Sequence, residues 1–485
     1  MKIELTTLTI TKAHTHLLNK DFSVRELCDA YLAEIKKRDD TIHAFLEIFP
    51  QADLDTQIAT AQVLIDSGTK SMLAGIPIAM KDNILIKGKY ASASSKILEN
   101  YTATYDSTVA SRLKEAGAIF IGRTNMDEFA MGSSTETSAY GVTRNPHDES
   151  RVPGGSSGGS AASVAMNGAL VAMGSDTAGS VRQPASFCGL VGLKTTYGSV
   201  SRFGLIAMAS SLDQIGPITK TVADAEILFN IIKGQDIFDS TTIPDATFEK
   251  MSADASAKNS GNKKPIIGIP RHLVETEGLD PVVRANFDES VKKLVALGYE
   301  VQDIELPHVK YSLPTYYILM PGEVSSNLAR FDGVKFGLLK EGDNLLDDYK
   351  KTRGQGFGRE VRRRILVGTY VLSTGYYDAF YNKAQKARAL ITDDFTKAFK
   401  KVDVIITPTT PTPAFKIGEK ISDPIQMYLA DIFTVPANIA RIPALTVPSG
   451  FADVDGKKLP LGLQFMAGEC CEDTLFAVGK DFLGE

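Results

Sequence analysis

Apolar and polar positions follow two patterns along the chain, one typical of helices and the other of buried strands. Ser23 and Glu26 form a capping-box pattern, after which apolar residues recur at helical spacing over 27–35. The segment 73–84 is instead an almost continuous apolar run, typical of a strand buried on both faces, with Lys81 towards its end. Helices and strands that alternate in this way predict an α/β protein.

The same two patterns predict most of the remaining helices and strands. We predict helices over 54–65, 108–116, 161–166, 221–231 and 281–298, and a mainly helical region over 316–399. We predict strands over 44–49, 118–121, 170–173, 191–194, 265–269, 300–306, 402–406, 442–447 and 461–465. The polar segment 249–264 is dominated by small residues, asparagine and lysine, and we predict a mobile surface loop there.

Composition narrows the class of protein. The chain has 485 residues, of which 43% are hydrophobic and 23% charged, with a net charge of −5. This is a globular composition without the basic excess of a chain that binds nucleic acid by itself. Four scattered cysteines form neither a disulfide framework nor a zinc motif. Since we also find no signal peptide and no apolar run of about 20 residues, we expect a cytoplasmic protein.

The stretch 151–182 concentrates more candidate chemistry than any other part of the chain. It holds two turns rich in glycine and serine, Gly154–Ser160 and Gly174–Ser180, around a short apolar segment. Glycine lets a ligand approach the main chain closely, and serine becomes a nucleophile when a neighbouring group accepts its proton. A phosphate-binding loop is the alternative for Gly154–Ser160, but the Gly-x-x-x-x-Gly-Lys-Ser/Thr pattern is missing.

A serine nucleophile needs a base, and the candidates are few. Of the six histidines only His147 lies near the two turns, and it sits in a turn signature of its own. No His-x-x-x-His or Cys-x-x-Cys pattern indicates a metal site. Lys81 is a better candidate, because apolar surroundings lower the pKa of a lysine. The alternative is a structural lysine that pairs with Asp82.

Three blocks of the sequence resemble the amidase signature family: Gly75–Asn83, Pro153–Ser160 and Gly174–Pro184. Four further blocks resemble, within that family, the A subunits of glutamyl-tRNA(Gln) amidotransferases: Asn125–Gly132, Tyr197–Leu205, Ser210–Pro217 and Gly356–Ile365. The resemblance implies a single large α/β domain over 1–485, in which helices cover both faces of a central mixed β-sheet. It further implies a catalytic core over about 70–220 and a helical substrate-side portion over about 316–400.

The resemblance also implies a Ser-cisSer-Lys triad. In this triad Ser180 is the nucleophile, Ser156 the bridging serine and Lys81 the base. Backbone N–H groups grouped around the nucleophile would stabilise the oxyanion. The implied donors are those of Thr177, Ala178, Gly179 and Ser180. Because the family commonly has glycine at position 178, we predict that Ala178 keeps a negative φ and is not strained.

A substrate and partners follow from the same resemblance. Arg364 would bind the α-carboxylate of glutamine, Asp431 its ammonium group, and Tyr316 would add a polar contact. From the pattern alone, Arg364 would belong to a solvated basic face and Asp431 would be a surface acid. The released ammonia would pass to a B subunit, which amidates Glu-tRNA(Gln) with ATP and Mg, and a small C subunit would complete the assembly. The resemblance implies no cofactor or metal in this chain.

Two alternatives stay open at the level of the sequence. One is a free-standing amidase that acts on another small amide. The other is a scaffold subunit whose amidase site has lost its activity, although Lys81, Ser156 and Ser180 are all present.

Overall fold

The fold is built on one extended sheet flanked by helices. A computed structural model describes residues 3–258, 264–275, 278–420 and 423–485, and within them it has 17 α-helices and 11 β-strands. The helices are α1 Ile10–Leu18, α2 Val24–Ile42, α3 Gln51–Asp66, α4 Thr108–Glu115, α5 Gly158–Ala165, α6 Arg182–Phe187, α7 Val222–Ile232, α8 Asp245–Lys258, α9 Arg271–Val274, α10 Pro281–Ala296, α11 Ser312–Asn327, α12 Leu345–Gly356, α13 Arg359–Leu372, α14 Lys383–Ala398, α15 Pro424–Leu429, α16 Val435–Ile439 and α17 Glu472–Leu483. The strands are β1 Phe45–Ile48, β2 Pro77–Lys81, β3 Ile119–Thr124, β4 Val171–Asp176, β5 Val191–Lys194, β6 Gln214–Thr219, β7 Ile267–Ile269, β8 Val301–Asp303, β9 Val404–Pro408, β10 Ala444–Val454 and β11 Lys457–Ala467.

All of these strands join one mixed sheet in the order β1-β3-β2-β4-β6-β5-β10-β11-β9-β7-β8. Strand β2 runs parallel to β3 and β4, and β7 runs parallel to β8 and β9. The pairs between these two groups are antiparallel. Because β2 and β4 are parallel neighbours, their carboxyl ends, Lys81 and Asp176, lie at the same edge of the sheet.

The middle of the sheet is covered on both faces. Every residue of β2, β4, β5, β6 and β9 is buried. Since successive side chains of a strand point to opposite faces, complete burial requires helices on both sides. This confirms the predicted α/β fold with a mixed central sheet.

Several helices form as their sequence signals predict. In α2 the Ser23 hydroxyl accepts from the Glu26 N–H, and the Glu26 carboxylate accepts from the Ser23 N–H, which completes the predicted capping box. Asp280 caps α10 by accepting from the N–H of Val282, with a proline in the first turn. Helix α11 packs against both α13 and α14, and these three helices form most of the predicted helical portion.

The predicted loop over 249–264 is wrong for residues 249–258, which form the second part of α8. Alanine, lysine, methionine and glutamate are good helix formers, and here they outweigh the scattered serines. Residues 259–263 lie outside the described residues. Among the helices that are described, none is long and apolar enough to cross a membrane.

Candidate active site

Lys81 ends β2 in a fully buried position, surrounded by serine oxygens. Its Nζ lies 2.7 Å from Ser156 Oγ, 2.8 Å from Ser157 Oγ and 2.9 Å from Ser175 Oγ, and 3.2 Å from the Ser175 carbonyl oxygen. Burial lowers the pKa of Lys81 to about 7, although the carboxylates of Asp127, Asp176 and Asp213 act in the opposite direction. A large fraction of this lysine is therefore neutral near pH 7.

The structural alternative for Lys81 does not hold. Asp82 does not pair with this lysine but forms a salt bridge with Arg123 at 2.8 Å. It also accepts hydrogen bonds from the backbone N–H groups of Ser92 and Ser94. The Asp82 carboxylate therefore stabilises a neighbouring loop, and the hydrogen bonds of the Lys81 amine go to the serines.

Ser156 follows a cis peptide bond between Gly155 and Ser156, in agreement with the cis-serine that the resemblance implies. Gly155 donates its N–H to Gln183 Oε1 at 2.9 Å. A Cβ atom at position 155 would lie 2.0 Å from Asp127 Oδ2, so no residue larger than glycine fits there. The close packing of this loop brings Ser156 against Lys81.

Ser180 lies in the turn between β4 and α6, and Asp176 organises that turn. The Asp176 carboxylate accepts from the N–H groups of Gly179 at 2.8 Å and Val181 at 3.2 Å, and forms a buried salt bridge with Arg182 at 2.9 Å. Burial by itself would raise the pKa of Asp176, but the Arg182 guanidinium and the Asn438 amide outweigh it and hold the pKa well below its ordinary value. The turn is thus anchored by a permanent negative charge.

A main-chain hydrogen bond holds this turn next to the loop of Ser156. The Ser157 N–H donates to the carbonyl oxygen of Ser180 at 3.1 Å, which brings the loop of Ser156 against the turn. Ser180 is 7% exposed, whereas Lys81 and Ser156 are 0% exposed. The predicted nucleophile is therefore the member of the triad that remains accessible.

Three of the four predicted oxyanion donors remain available. The N–H groups of Thr177, Ala178 and Ser180 have no acceptor among the described residues. The structure does not support the same role for Gly179, because its N–H already donates to Asp176. Ala178 has no positive φ, as predicted, whereas Gly179 has a φ of +128° that favours glycine.

Arg364 lines a cavity of about 230 Å³ together with Glu360, Tyr428 and Ser133. Its Nε donates to Glu360 Oε1 at 2.8 Å, and the Tyr428 hydroxyl donates to the same oxygen at 3.1 Å. The guanidinium carbon also lies 5.7 Å from the centre of the Tyr428 ring. Arg364 is only 5% exposed, so the interpretation as a solvated basic face is wrong.

Asp431 is equally buried, at 5% exposure, and is not a surface acid. Its Oδ2 accepts from the hydroxyl of Ser133, which lines the same cavity, at 2.8 Å. Burial raises the pKa of Asp431 to about 7, although the Ser133 hydroxyl and the Arg364 guanidinium act in the opposite direction. The buried Arg364 cation therefore lines the cavity itself, and the buried Asp431 carboxyl lies directly behind Ser133, which lines it.

Tyr316 belongs to the same group of side chains. It is 2% exposed, and its ring packs edge-on against Tyr317 with 4.9 Å between ring centres. Burial raises the pKa of its hydroxyl, Arg364 acts in the opposite direction and Asp431 raises it further. All three residues predicted to bind substrate thus lie within electrostatic reach of one another.

Sequence reasoning missed several residues that the structure adds to the site. Ser157 and Ser175 contact the Lys81 amine, and Asn83 contacts Ser175. Glu360 had a usable signal, because it lies four residues before Arg364 on a helix and so faces it. The Ser175 contact depends on the pairing of β2 with β4, which is not visible in the sequence.

Comparison with known proteins supports the resemblance that the motifs indicate. The sequence profile of the Amidase family matches residues 26–476. The chain belongs to the amidase family. Among its relatives, the A subunit of glutamyl-tRNA(Gln) amidotransferase from Microcystis aeruginosa is 50% identical over 98% of this chain and 96% of its own length. The corresponding protein of Thermodesulfovibrio yellowstonii is 52% identical over 96% of this chain and 94% of its own.

A solved structure supports membership of the amidase family. The crystal structure of the glutamyl-tRNA(Gln) amidotransferase A subunit from Thermotoga maritima superposes with a TM-score of 0.80 at 42% identity. The match covers 99% of this chain and 95% of that one. The single-domain fold is therefore shared over essentially the full length.

Proposed function

We propose that this chain is the glutamine-hydrolysing A subunit of a glutamyl-tRNA(Gln) amidotransferase. The observation that carries the proposal is the fully buried Lys81 amine, 2.7 Å from Ser156 Oγ and beside the turn of Ser180. A buried lysine with a pKa of about 7 is a base suited to reaction near neutral pH. Relatives about 50% identical over nearly the whole chain support the choice of substrate and assembly.

In the reaction, neutral Lys81 accepts the proton of Ser156 as Ser156 accepts that of Ser180. The Ser180 oxygen attacks the side-chain amide carbon of glutamine, and the oxyanion is stabilised by the N–H groups of Thr177, Ala178 and Ser180 itself. Reversal of the relay protonates the departing nitrogen, which leaves as ammonia. A water molecule activated by the same relay then releases glutamate from the acyl-enzyme.

Substrate selection would depend on the buried charges of Arg364 and Asp431. Arg364 would bind the α-carboxylate, since a guanidinium matches the geometry of a carboxylate. Asp431 would bind the α-ammonium group, whose positive charge would keep the carboxyl ionised despite its raised pKa. Tyr316 would complete the group as a polar contact. Glutamine presents both charges together with a terminal amide, and the site offers a partner for each.

The partners follow from the same proposal. A B subunit would use the ammonia, with ATP and Mg, to amidate Glu-tRNA(Gln), and a small C subunit would complete a heterotrimer. The net charge of −5 agrees with tRNA being held mainly by another protein of the assembly. Cytoplasmic location remains a prediction of the sequence.

The test is glutamine hydrolysis by the purified chain, alone and co-purified with its partner subunits. We expect Ser180→Ala to abolish turnover and Ser163→Ala to retain it. Ser163 is a matched control because it is buried on α5, and among the described residues its hydroxyl bonds only to the Ser160 carbonyl oxygen. Turnover that survives Ser180→Ala would refute the nucleophile assignment.

The free-standing amidase makes a different prediction for the substrate-binding residues. If another small amide were the substrate, Arg364→Ala and Asp431→Asn would leave its hydrolysis unchanged. The present proposal expects both variants to lose glutamine hydrolysis through a raised KM. Labelling of Ser180 by a serine-directed fluorophosphonate separates either enzyme from an inactive scaffold.

A further inference from the structure

The Lys81 amine lies within hydrogen-bond distance of three hydroxyl groups, although the proposed relay uses only one. Ser156, Ser157 and Ser175 place their Oγ atoms at 2.7, 2.8 and 2.9 Å from Nζ. A neutral amine has two N–H donors and a single lone pair. The lone pair must accept from Ser156, so the hydroxyl protons of the other two serines have to be directed elsewhere.

The proton of Ser157 already has an acceptor. Its hydroxyl donates to the Ser175 carbonyl oxygen at 3.2 Å, and its oxygen accepts from the Ser175 N–H at 3.3 Å. With these two bonds in place, the remaining position on Ser157 Oγ is a lone pair. It accepts one N–H of Lys81.

Ser175 has no such carbonyl acceptor among the described residues, and its orientation depends on Asn83. The Asn83 Nδ2 donates to Ser175 Oγ at 2.9 Å, and Lys81 donates to the same oxygen. A hydroxyl oxygen has two lone pairs, so these two N–H donors occupy both of them. The hydroxyl hydrogen of Ser175 must then point away from Lys81.

Asn83 is fixed by burial and by a main-chain hydrogen bond. It is 2% exposed and follows β2 by two residues, and its main-chain carbonyl oxygen accepts from the Ile206 N–H at 2.9 Å. The main chain at Asn83 is therefore fixed and burial restricts its side chain, whose Oδ1 has no hydrogen-bond partner among the described residues, so the bond to Ser175 orients the amide.

We propose that Asn83 is a positioning residue that selects Ser156 as the hydroxyl donating to Lys81, by holding Ser175 Oγ as an acceptor. Without the Asn83 N–H, Ser175 can rotate and donate to the lysine lone pair, in competition with Ser156. The relay is then interrupted at its first proton transfer. The inference rests on the proposed function only in taking Lys81 as the base for Ser180.

The test is a double-mutant cycle with Asn83→Leu and Ser175→Ala in the full-length chain, with and without its partner subunits. Asn83→Leu keeps the branching and the number of side-chain heavy atoms and removes the donor, and we expect kcat for glutamine to fall about five- to tenfold with little change in KM. Ser175→Ala removes the competing hydroxyl and should cost less. The double variant should therefore recover to the rate of Ser175→Ala alone, a masking effect that general damage to the fold would not give.

Asn145→Leu is the matched control. Asn145 is also a buried asparagine that donates through Nδ2, but to the carbonyl oxygens of Val152 and Phe187. Its effect on kcat should simply add to that of Ser175→Ala. Additive losses for Asn83→Leu and Ser175→Ala, or an unchanged kcat in Asn83→Leu, would overturn the proposal.

Asn83→Asp provides a second variant if Asn83→Leu does not fold. A carboxylate accepts the Ser175 proton and so still directs it away from Lys81, while its charge favours the protonated lysine. We expect the profile of kcat against pH to keep its maximum value, while its fall on the acid side moves to higher pH. A lowered maximum with an unmoved acid side would contradict the proposal. Fluorophosphonate labelling of Ser180 follows the same relay without glutamine, so it tests Asn83 even if glutamine proves not to be the substrate.

Discussion

Thr434 donates its hydroxyl to the carbonyl oxygen of Ala178 across 2.6 Å, and this bond connects the parts of the site that we propose for substrate binding and for catalysis. The same hydroxyl lies 3.2 Å from the carbonyl oxygen of Asp431. Thr434 therefore sits between the turn with the oxyanion donors and the segment with the proposed ammonium ligand, which are far apart in the sequence.

Replacement of Thr434 by valine tests this connection. The change removes the hydroxyl but keeps the shape, and leaves the buried carbonyl of Ala178 without its partner, at a cost of ~1–3 kcal/mol. Because that carbonyl belongs to the oxyanion turn, we expect kcat/KM for glutamine to fall about tenfold or more. Thr434→Ser keeps the hydroxyl and serves as the control. Equal losses in the two variants would show that packing, and not the hydrogen bond, matters.

Gly179 should tolerate no side chain. Its φ is +128°, and a Cβ would lie 2.2 Å from Thr434 Oγ1. We expect Gly179→Ala to abolish glutamine hydrolysis and to lower the free energy of unfolding by at least ~1 kcal/mol, measured by urea denaturation.

Gly298→Ala is a suitable control for Gly179→Ala. It has a φ of +87°, but a Cβ there meets no atom within 4 Å. It should lose about 1 kcal/mol of stability through its backbone alone and retain full kcat. Activity in Gly179→Ala comparable to that of Gly298→Ala would contradict the close packing of the oxyanion turn.

Much of the fold could be predicted because burial leaves a local signal. The apolar run before Lys81 indicates β2, and the capping box at Ser23 indicates the start of α2. Strand β6 could not be predicted, because it contains Gly216 and Pro217 although it lies in the centre of the sheet. Proline normally argues against a central strand, so tertiary pairing with β4 and β5 overrides the local preference.

The site could be predicted only in part, because some of its residues are brought together by strand pairing and not by a local motif. Lys81, Ser156 and Ser180 belong to motifs that resemble a family, so each is identifiable alone. Asn83 and Ser175 act through contacts across strands, and such contacts depend on pairing and register. The occupied N–H of Gly179 likewise follows from the orientation of the Asp176 carboxylate, which the sequence does not encode locally.

The pH dependence of the reaction should follow Lys81. Its pKa is lowered to about 7, and only the neutral amine accepts the proton of Ser156. We therefore expect kcat at saturating glutamine to be highest above pH 7 and to fall about tenfold per pH unit well below it. Lys81→Arg should be inactive at every pH, because a guanidinium stays protonated. A kcat that rises as the pH falls below 7 would exclude lysine as the base.

Glu360 should determine how Arg364 meets the substrate. Its Oε1 accepts from Arg364 Nε, and Arg364 Nη1 lies 3.8 Å from the Met320 sulfur, a weak acceptor, so the guanidinium is fixed and can still donate to a carboxylate. Burial opposes ionisation of Glu360, but Arg364 outweighs it and lowers the pKa of the carboxyl below its ordinary value. The pair is therefore charged on both sides at neutral pH.

We expect Glu360→Ala to raise KM for glutamine about tenfold with little change in kcat, because the freed Arg364 side chain must be ordered again by each substrate molecule. Glu360→Gln retains an oxygen acceptor for Nε and should stay close to the parent KM. 4-Aminobutanamide has the amide and the ammonium group of glutamine but no α-carboxylate, so its hydrolysis should respond equally little to both variants. An unchanged KM for glutamine in Glu360→Ala, or an equal loss with 4-aminobutanamide, would show that Glu360 does not act through recognition of the carboxylate.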